Sequence, residues 1–322
     1  MKRVHVLFLA VCAVFFSFCV CLNAQEVKPA KVLLFSRTPG FPHGPVNANL
    51  KDGTTPAGRA LNAYFKDKKI EIVETRDGSI FDGDLSQYDG FVFSTVANLM
   101  GGKDERNTAA NGFGPEDKPM TEKGLRNMID AIRNGKGFMG WHNATDSFSG
   151  VKDEKGQDIY TNLIGARFIV HGPDQVAGVT TVDAGKFSFL KDAKEFAVHE
   201  EWYAMKNYNP DMHVLQVQKT KKEDGSTTMN GDMYNRAPFP ITWIRMEGKG
   251  RVAYTSFGHS EHSFETSERE MQRWGTLQPG VTRLQAVAEL IEWSIGRFDS
   301  DVTPNFDKVA PGAGEKNDRE YR

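Results

Sequence analysis

The chain has 322 residues, 39% hydrophobic and 25% charged, with a net charge of −2. That length and composition can bury a sizeable core in one or two domains, and the charge balance argues against nucleic acid as the main partner, which would call for a basic face. Its three cysteines, Cys12, Cys19 and Cys21, all lie near the start.

Lys2 and Arg3 open the chain, Val4 to Leu22 is almost wholly apolar, and Leu22-Asn23-Ala24 offers a cleavage point before Gln25. This pattern predicts a signal peptide over 1–24 and export to the periplasm or cell surface. A retained membrane anchor is the competing reading of the same run, and a lipoprotein is a weaker one, for Cys19 and Cys21 lack a good lipobox. After cleavage no cysteine is left, so a cysteine nucleophile and a thiolate metal site are both excluded, and no further apolar run approaches a membrane span.

The elements then alternate. Lys31 to Ser36 reads as a fully buried strand, and its following loop carries Phe41-Pro42-His43-Gly44. Pro56 to Phe65 reads as a helix, with Ala60, Leu61, Tyr64 and Phe65 on one face. Strands are predicted at Ile70 to Glu74 and Tyr88 to Ser94. Alternation of this kind implies parallel βαβ units. Thr95 to Met120 is Gly-, Asn- and Asp-rich without periodicity, a candidate lid or pocket wall. A helix over Thr121 to Arg133 leads to the apolar Phe138-Met139-Gly140-Trp141, which ends in His142-Asn143-Ala144-Thr145-Asp146.

Beyond Asp146 come a short helix around Tyr160 to Leu163 and a turn at His171-Gly172-Pro173-Asp174-Gln175. His199-Glu200-Glu201-Trp202-Tyr203 sets two carboxylates beside two aromatics. Strands at Val179 to Val182, Val214 to Val217 and Ile241 to Met246 suggest antiparallel β-structure added to the parallel core. Arg251 to Phe257 is the last strong strand and leads into Gly258-His259-Ser260-Glu261. An amphipathic helix over Thr282 to Ile295 closes a domain spanning 25–298, and 299–322 reads as a polar, mobile tail.

Three histidines, His43, His142 and His259, stand just past predicted strands, where open parallel sheets bind ligands. Histidine suits proton transfer near neutral pH and also ligates metals. His142, His259 and Glu201 are therefore the catalytic candidates. His43, His171, Gln175, Tyr203 and Asp146 are candidate substrate-binding groups, although Asp146 could equally cap a helix. No motif demands a cofactor. A divalent metal held by some of His43, His142, His171, Glu201 and His259 is the alternative use of the same side chains. For Trp141, Trp202 and Trp243, core packing is the better reading than stacking on a sugar. No phosphate-binding loop, dinucleotide fingerprint, serine elbow or His-Glu-x-x-His helix is present.

Several segments together resemble the ThuA-like (trehalose utilisation) family: Val32 to Ser36 with Gly40 to His43, Tyr88 to Phe93, Gly137 to Asp146, Leu163 to Ala166 with His171 and Gln175, Glu201-Trp202-Tyr203, Asn209-Pro210 with His213 to Leu215, Pro240 to Trp243, and Gly250 to His259. The family is similar to the class I glutamine amidotransferases. The resemblance implies a flavodoxin-like, doubly wound, mostly parallel sheet with helices on both faces. It puts His142 where an amidotransferase keeps its cysteine, and makes His259-Ser260-Glu261 similar to the His-x-Glu of that scaffold. Glutamine hydrolysis through a thioester is excluded. Pro42 departs from the basic residue common at that place, and the 95–120 loop is longer than usual. The resemblance implies carbohydrate use, including disaccharides and their oxidised (3-keto) forms; together with the apolar leader and the strand-end histidines, the expectation is an exported enzyme acting on a disaccharide or an oxidised (3-keto) glycoside through histidine acid–base chemistry, as isomerase, lyase or hydrolase. A non-catalytic sugar-binding protein of the periplasm or surface is the alternative.

Overall fold

The structure is a computed structural model describing residues 27–47, 54–101, 117–148, 150–222, 224, 226, 229–264, 276–278 and 281–314. The expected signal peptide, residues 102–116 of the long loop and the end of the tail lie outside the described residues.

Strands β1 (Ala30–Phe35), β2 (Ile70–Thr75), β3 (Gly90–Phe93) and β4 (Gly137–Trp141) are separated by helices α1 (Pro56–Phe65) and α2 (Glu122–Arg133). Both helices begin where the sequence supplies a cap: the hydroxyls of Thr55 and Thr121 accept from the backbone N–H of Gly58 and Gly124, satisfying donors the first helical turn leaves open. After α3 (Ile159–Ile164) the chain is mainly β: β5 (Arg167–His171), β6 (Gln175–Thr181), β7 (Glu195–Glu200), β8 (Tyr203–Lys206), β9 (His213–Gln218), β10 (Phe239–Glu247) and β11 (Gly250–Thr255). The short pair β12 (Thr276–Gln278) and β13 (Val281–Thr282) precedes α4 (Arg283–Ser294) and α5 (Phe306–Val309).

Nine strands form one sheet in the order β2-β1-β3-β4-β11-β10-β9-β6-β7. The pairs from β2 to β11 are parallel, and those from β11 to β7 are antiparallel. The parallel part has the flavodoxin-like order 2-1-3-4-5, with β11 as the fifth strand. Its inner strands β1, β3 and β4 are nearly continuous apolar runs because both faces are covered. Glycines in β4 show this directly. A Cβ on Gly137 would lie 2.5 Å from the Ser294 carbonyl at the end of α4, and one on Gly140 would lie 2.8 Å from Ile164 of α3. Residues three apart in a strand face opposite sides, so α3 and α4 pack on opposite faces of the sheet.

The antiparallel half extends beyond the expected strands. β5 and β8 pair as a separate two-stranded sheet beside the main one, and sequence periodicity did not mark either. Trp141, Trp202 and Trp243 are fully buried, which fits core packing. The tail beyond residue 299 is fastened for part of its length. The Asn305 side-chain oxygen accepts from Val214 N–H at 2.7 Å, its amide donates to the Val214 carbonyl at 3.1 Å, and Phe306, Ala310 and Ala313 are buried.

Candidate functional site: a histidine and carboxylate cluster

β1, β4 and β11 are neighbours or near neighbours running in one direction, so their carboxyl ends share one edge of the sheet. His142 directly follows β4 and has a φ of 43°. This left-handed backbone is costly for a residue with a Cβ and needs outside support. The Tyr254 hydroxyl donates to the His142 carbonyl at 2.7 Å, and His142 Nδ1 donates to the Ser256 carbonyl at 3.0 Å. Gly140 leaves the turn room to close, as a Cβ there would sit 2.9 Å from that of Ala144.

The bond to Ser256 fixes the ring chemistry. A carbonyl can only accept, so Nδ1 carries a hydrogen and neutral His142 directs a bare Nε2 into the site. His43 is arranged the same way: Nδ1 donates to the Phe41 carbonyl at 3.0 Å, leaving Nε2 to face the Tyr203 hydroxyl at 3.4 Å. Glu201 Oε2 lies 3.1 Å from His142 Nε2 and 3.1 Å from His259 Nδ1, and those two nitrogens are 3.2 Å apart. One nitrogen each of His43, His142 and His259 and one oxygen of Glu201 all fall within 4.8 Å of one another.

Glu200 and Glu201 are consecutive and project to different places. Glu200 is fully buried and pairs with the fully buried Arg283 at 3.0 Å. Its carboxylate also accepts from the backbone N–H groups of Gly258 and His259, at 3.2 and 3.4 Å. Glu200 thus anchors the turn that presents His259, while Glu201 faces the histidines. The His-x-Glu resemblance works out differently in space. Glu261 lies 3.8 Å from His262, whereas the carboxylate against His259 is that of Glu201. His171, at the end of β5, approaches the other oxygen of Glu201, with Nδ1 3.1 Å from Oε1.

Electrostatics follow from burial and crowding. Burial, reinforced by His142 and His259 nearby, pushes His43 down to about 3, so its ring is neutral near pH 7. Burial alone would raise Glu201, but the close imidazoles of His142 and His259 outweigh it and hold the carboxyl well below the usual range. Burial likewise acts to lower His259, and the Glu201 carboxylate reverses this and holds it above its ordinary value. Burial first, then the charge of Glu201, keeps Tyr203 protonated far beyond its usual range.

The cluster opens on a pocket of about 180 Å³ lined by Phe41, His43, Val96, Asp146, Phe168, His171, Glu201 and Tyr203. Of the eight site residues read from the sequence, His43, His142, His259, Glu201, His171, Tyr203 and Asp146 come together at the cluster or its pocket. Gln175 lies apart: its amide donates to the Asn230 carbonyl and its oxygen accepts from Asn230 N–H. Glu200 and Arg283 were not legible as support for the site, since a carboxylate and an arginine 83 residues apart carry no local signal. The apolar walls Val96 and Phe168 were equally hidden. A larger cleft of about 480 Å³, lined by Asp158, Asn162, Asn207 and Tyr208 among others, contains none of the cluster.

A flavodoxin-like α/β domain with three histidines and a glutamate at the carboxyl edge of its sheet is the class defined so far. The trehalose utilisation family model, ThuA, matches residues 31–275, and the chain belongs to that family. A solved ThuA-like protein from Parabacteroides merdae superposes with a TM-score of 0.50 at 14% identity, covering 85% of this chain and 92% of that one. Another from Bacteroides uniformis gives 0.50 at 16% identity, covering 89% and 98%. At these identities the likeness concerns the fold alone. No curated protein matches the chain.

Proposed function

We propose that this protein is an exported, metal-dependent carbohydrate-active enzyme acting on a disaccharide or an oxidised (3-keto) glycoside. The observation that carries the reading is the convergence of imidazole nitrogens and a carboxylate oxygen on one point. Two ligands each about 2.1 Å from a tetrahedral ion stand about 3.4 Å apart. The His142, His259 and Glu201 atoms are spaced at 3.1 to 3.2 Å, and His43 completes a set within 4.8 Å. Without an ion, bare His142 Nε2 would face a carboxylate oxygen, two acceptors in contact. A cation between them removes the conflict. Three nitrogens and one oxygen suit a first-row transition ion such as Zn²⁺ better than Ca²⁺ or Mg²⁺.

The chain's own residues do the rest. Ser256 and Phe41 hold the His142 and His43 tautomers through their carbonyls, as partners behind metal-bound histidines commonly do. His171 steadies the second oxygen of Glu201. The pocket is lined both by polar groups of the cluster and by the apolar Phe41, Val96 and Phe168, a mixture that suits the hydroxyls and the apolar C–H surface of a sugar ring. Phe41 is 68% exposed and stands at the mouth, ready to cover a ring. A bound ion would supply Lewis acidity for a carbonyl or hydroxyl oxygen of the sugar. The family supports carbohydrate use, and the apolar leader supports export. Among the described residues no helix is long and apolar enough to cross a membrane.

The test is elemental analysis of the purified protein before and after chelation, joined to product analysis on trehalose and 3-keto-trehalose. About one transition ion per chain, lost in His142→Ala and Glu201→Ala, with turnover that disappears on chelation, is the expected result. Protein that binds no ion at any concentration tested removes the metal reading. Binding of the sugars without turnover makes the protein a carrier instead of an enzyme.

A further inference from the structure

If His43, His142 and His259 spend their bare nitrogens on an ion, they cannot also carry a proton to or from the substrate. Some other group must do that. Four further polar or titratable side chains were read into the site. Gln175 lies apart and has no proton to give. Tyr203 stays protonated. His171 holds its Nδ1 hydrogen between Glu201 Oε1 at 3.1 Å and the Gly172 carbonyl at 2.9 Å, and its ring is 43% exposed to water. Asp146 differs from all of these in lining the pocket with a carboxylate that has no protein partner among the described residues.

We propose that Asp146 is the catalytic residue that exchanges a proton with the sugar in this pocket; the inference rests on the carbohydrate reading above. Asp146 lines the pocket together with His43 and Glu201, and its neighbours there include Phe41, Val96 and Phe168. Its backbone is pinned, the Asp146 carbonyl accepting from Ala97 N–H at 2.6 Å. Among the described residues its carboxylate accepts no hydrogen bond and belongs to no ion pair within 4 Å. It is not the helix cap that its position four residues after His142 also allowed. A carboxylate that is largely buried yet has no partner in the protein has its hydrogen-bonding capacity free for a ligand.

The surroundings of Asp146 also favour proton exchange. Burial pushes its carboxyl up to about 6, against the opposing pull of Arg167 and His171. The other titratable groups lining the same pocket are His43, Glu201 and Tyr203. A carboxyl raised toward neutrality by an apolar site is suited to take and return protons near pH 7. On a 3-keto sugar the C–H bond beside the ketone breaks. Its proton bonds to an Asp146 oxygen, and its electron pair moves through the new C=C bond onto the carbonyl oxygen, giving an enolate. When the Asp146 carboxyl swaps that proton for one from water and returns it to the same carbon, the C=O bond re-forming, the substrate exchanges hydrogen with solvent. When the proton goes instead to the departing glycosidic oxygen, as the C1–O bond breaks, the C1=C2 bond forms and the C3=O bond re-forms, the result is elimination.

The experiment compares wild type and Asp146→Asn, each loaded with the ion that the purified protein carries, on 3-keto-trehalose in D₂O. Deuterium entry at the carbon beside the ketone and turnover are followed by NMR. Metal content, melting temperature and KM are measured in parallel. The expected result is a loss of kcat and of exchange on the order of 10²–10⁴-fold, with metal content and KM held, and loss of the acidic limb near pH 6 from the wild-type profile. Wild-type rates in the variant overturn the assignment while leaving the carbohydrate reading intact. Loss of activity only in step with loss of metal or fold makes Asp146 structural, and also overturns it. A wild type silent on 3-keto-trehalose, both in exchange and in turnover, removes the substrate reading and this proposal with it.

Discussion

Replacing Glu200 by glutamine tests how the site is held. Glu200 and Arg283 are both fully buried and paired at 3.0 Å. The glutamine keeps the shape and loses the charge. The Arg283 guanidinium, which also donates to the His199 carbonyl, then loses the Glu200 charge beside it in the core. Breaking one side of a buried pair costs about 3–5 kcal/mol. The backbone N–H groups of Gly258 and His259 would meanwhile give up a charged acceptor for a neutral one, and a hydrogen bond to a charged group contributes about 1.5–3 kcal/mol against about 1 for a neutral one. These losses share one carboxylate and do not add, so about 3–5 kcal/mol is the expected total. Urea unfolding of the metal-free protein measures it. Because the Gly258–His259 turn is what Glu200 anchors, metal affinity should fall as well, read by competition with a chelating dye. In the double variant Glu200→Leu/Arg283→Met much of the stability should return, since no charge is left buried, while metal affinity stays low. A loss below about 1 kcal/mol in Glu200→Gln would show that water reaches the pair, and the account of Glu200 as a buried anchor would fail.

Further outcomes follow from the same geometry. In the metal-free protein, the folded state raises Asp146 from 3.8 to about 6, so its stabilising effect is complete below about pH 4 and is lost as pH rises through 6. Roughly two pH units at about 1.4 kcal/mol each make Asp146→Asn more stable relative to wild type by up to about 3 kcal/mol on going from pH 4 to pH 8; a stability difference flat in pH would contradict the burial argument. Gly137→Ala would place a Cβ 2.5 Å from the Ser294 carbonyl of α4 and should cost about 1–3 kcal/mol in unfolding free energy through forced repacking, an expectation undone if the variant melts like wild type. Phe41→Ala should raise KM for a sugar substrate and leave metal content untouched, because the ring is 68% exposed at the pocket mouth; an unchanged KM would remove Phe41 from substrate binding.

The sequence by itself determined the parallel core. Buried strands such as Val32 to Phe35 and the run ending at Trp141 must be apolar throughout, and threonine caps mark the starts of α1 and α2, so these elements leave local signatures. It also placed His43, His142 and His259 just past strands, and parallel topology then required them to share an edge. The order of segments sufficed to suggest the family. What no local pattern could carry was decided by tertiary structure. Pairing of β5 with β8 brings His171 to Glu201. The choice of Glu201 over Glu261 as the carboxylate beside His259, and the burial of Glu200 on Arg283, depend on chain segments tens of residues apart. The tautomers of His43 and His142 depend on carbonyls supplied by the fold, one of them 114 residues away. A hydrogen-bond partner is a fact about distance in space, and sequence spacing does not encode it for residues that meet only once the sheet has formed.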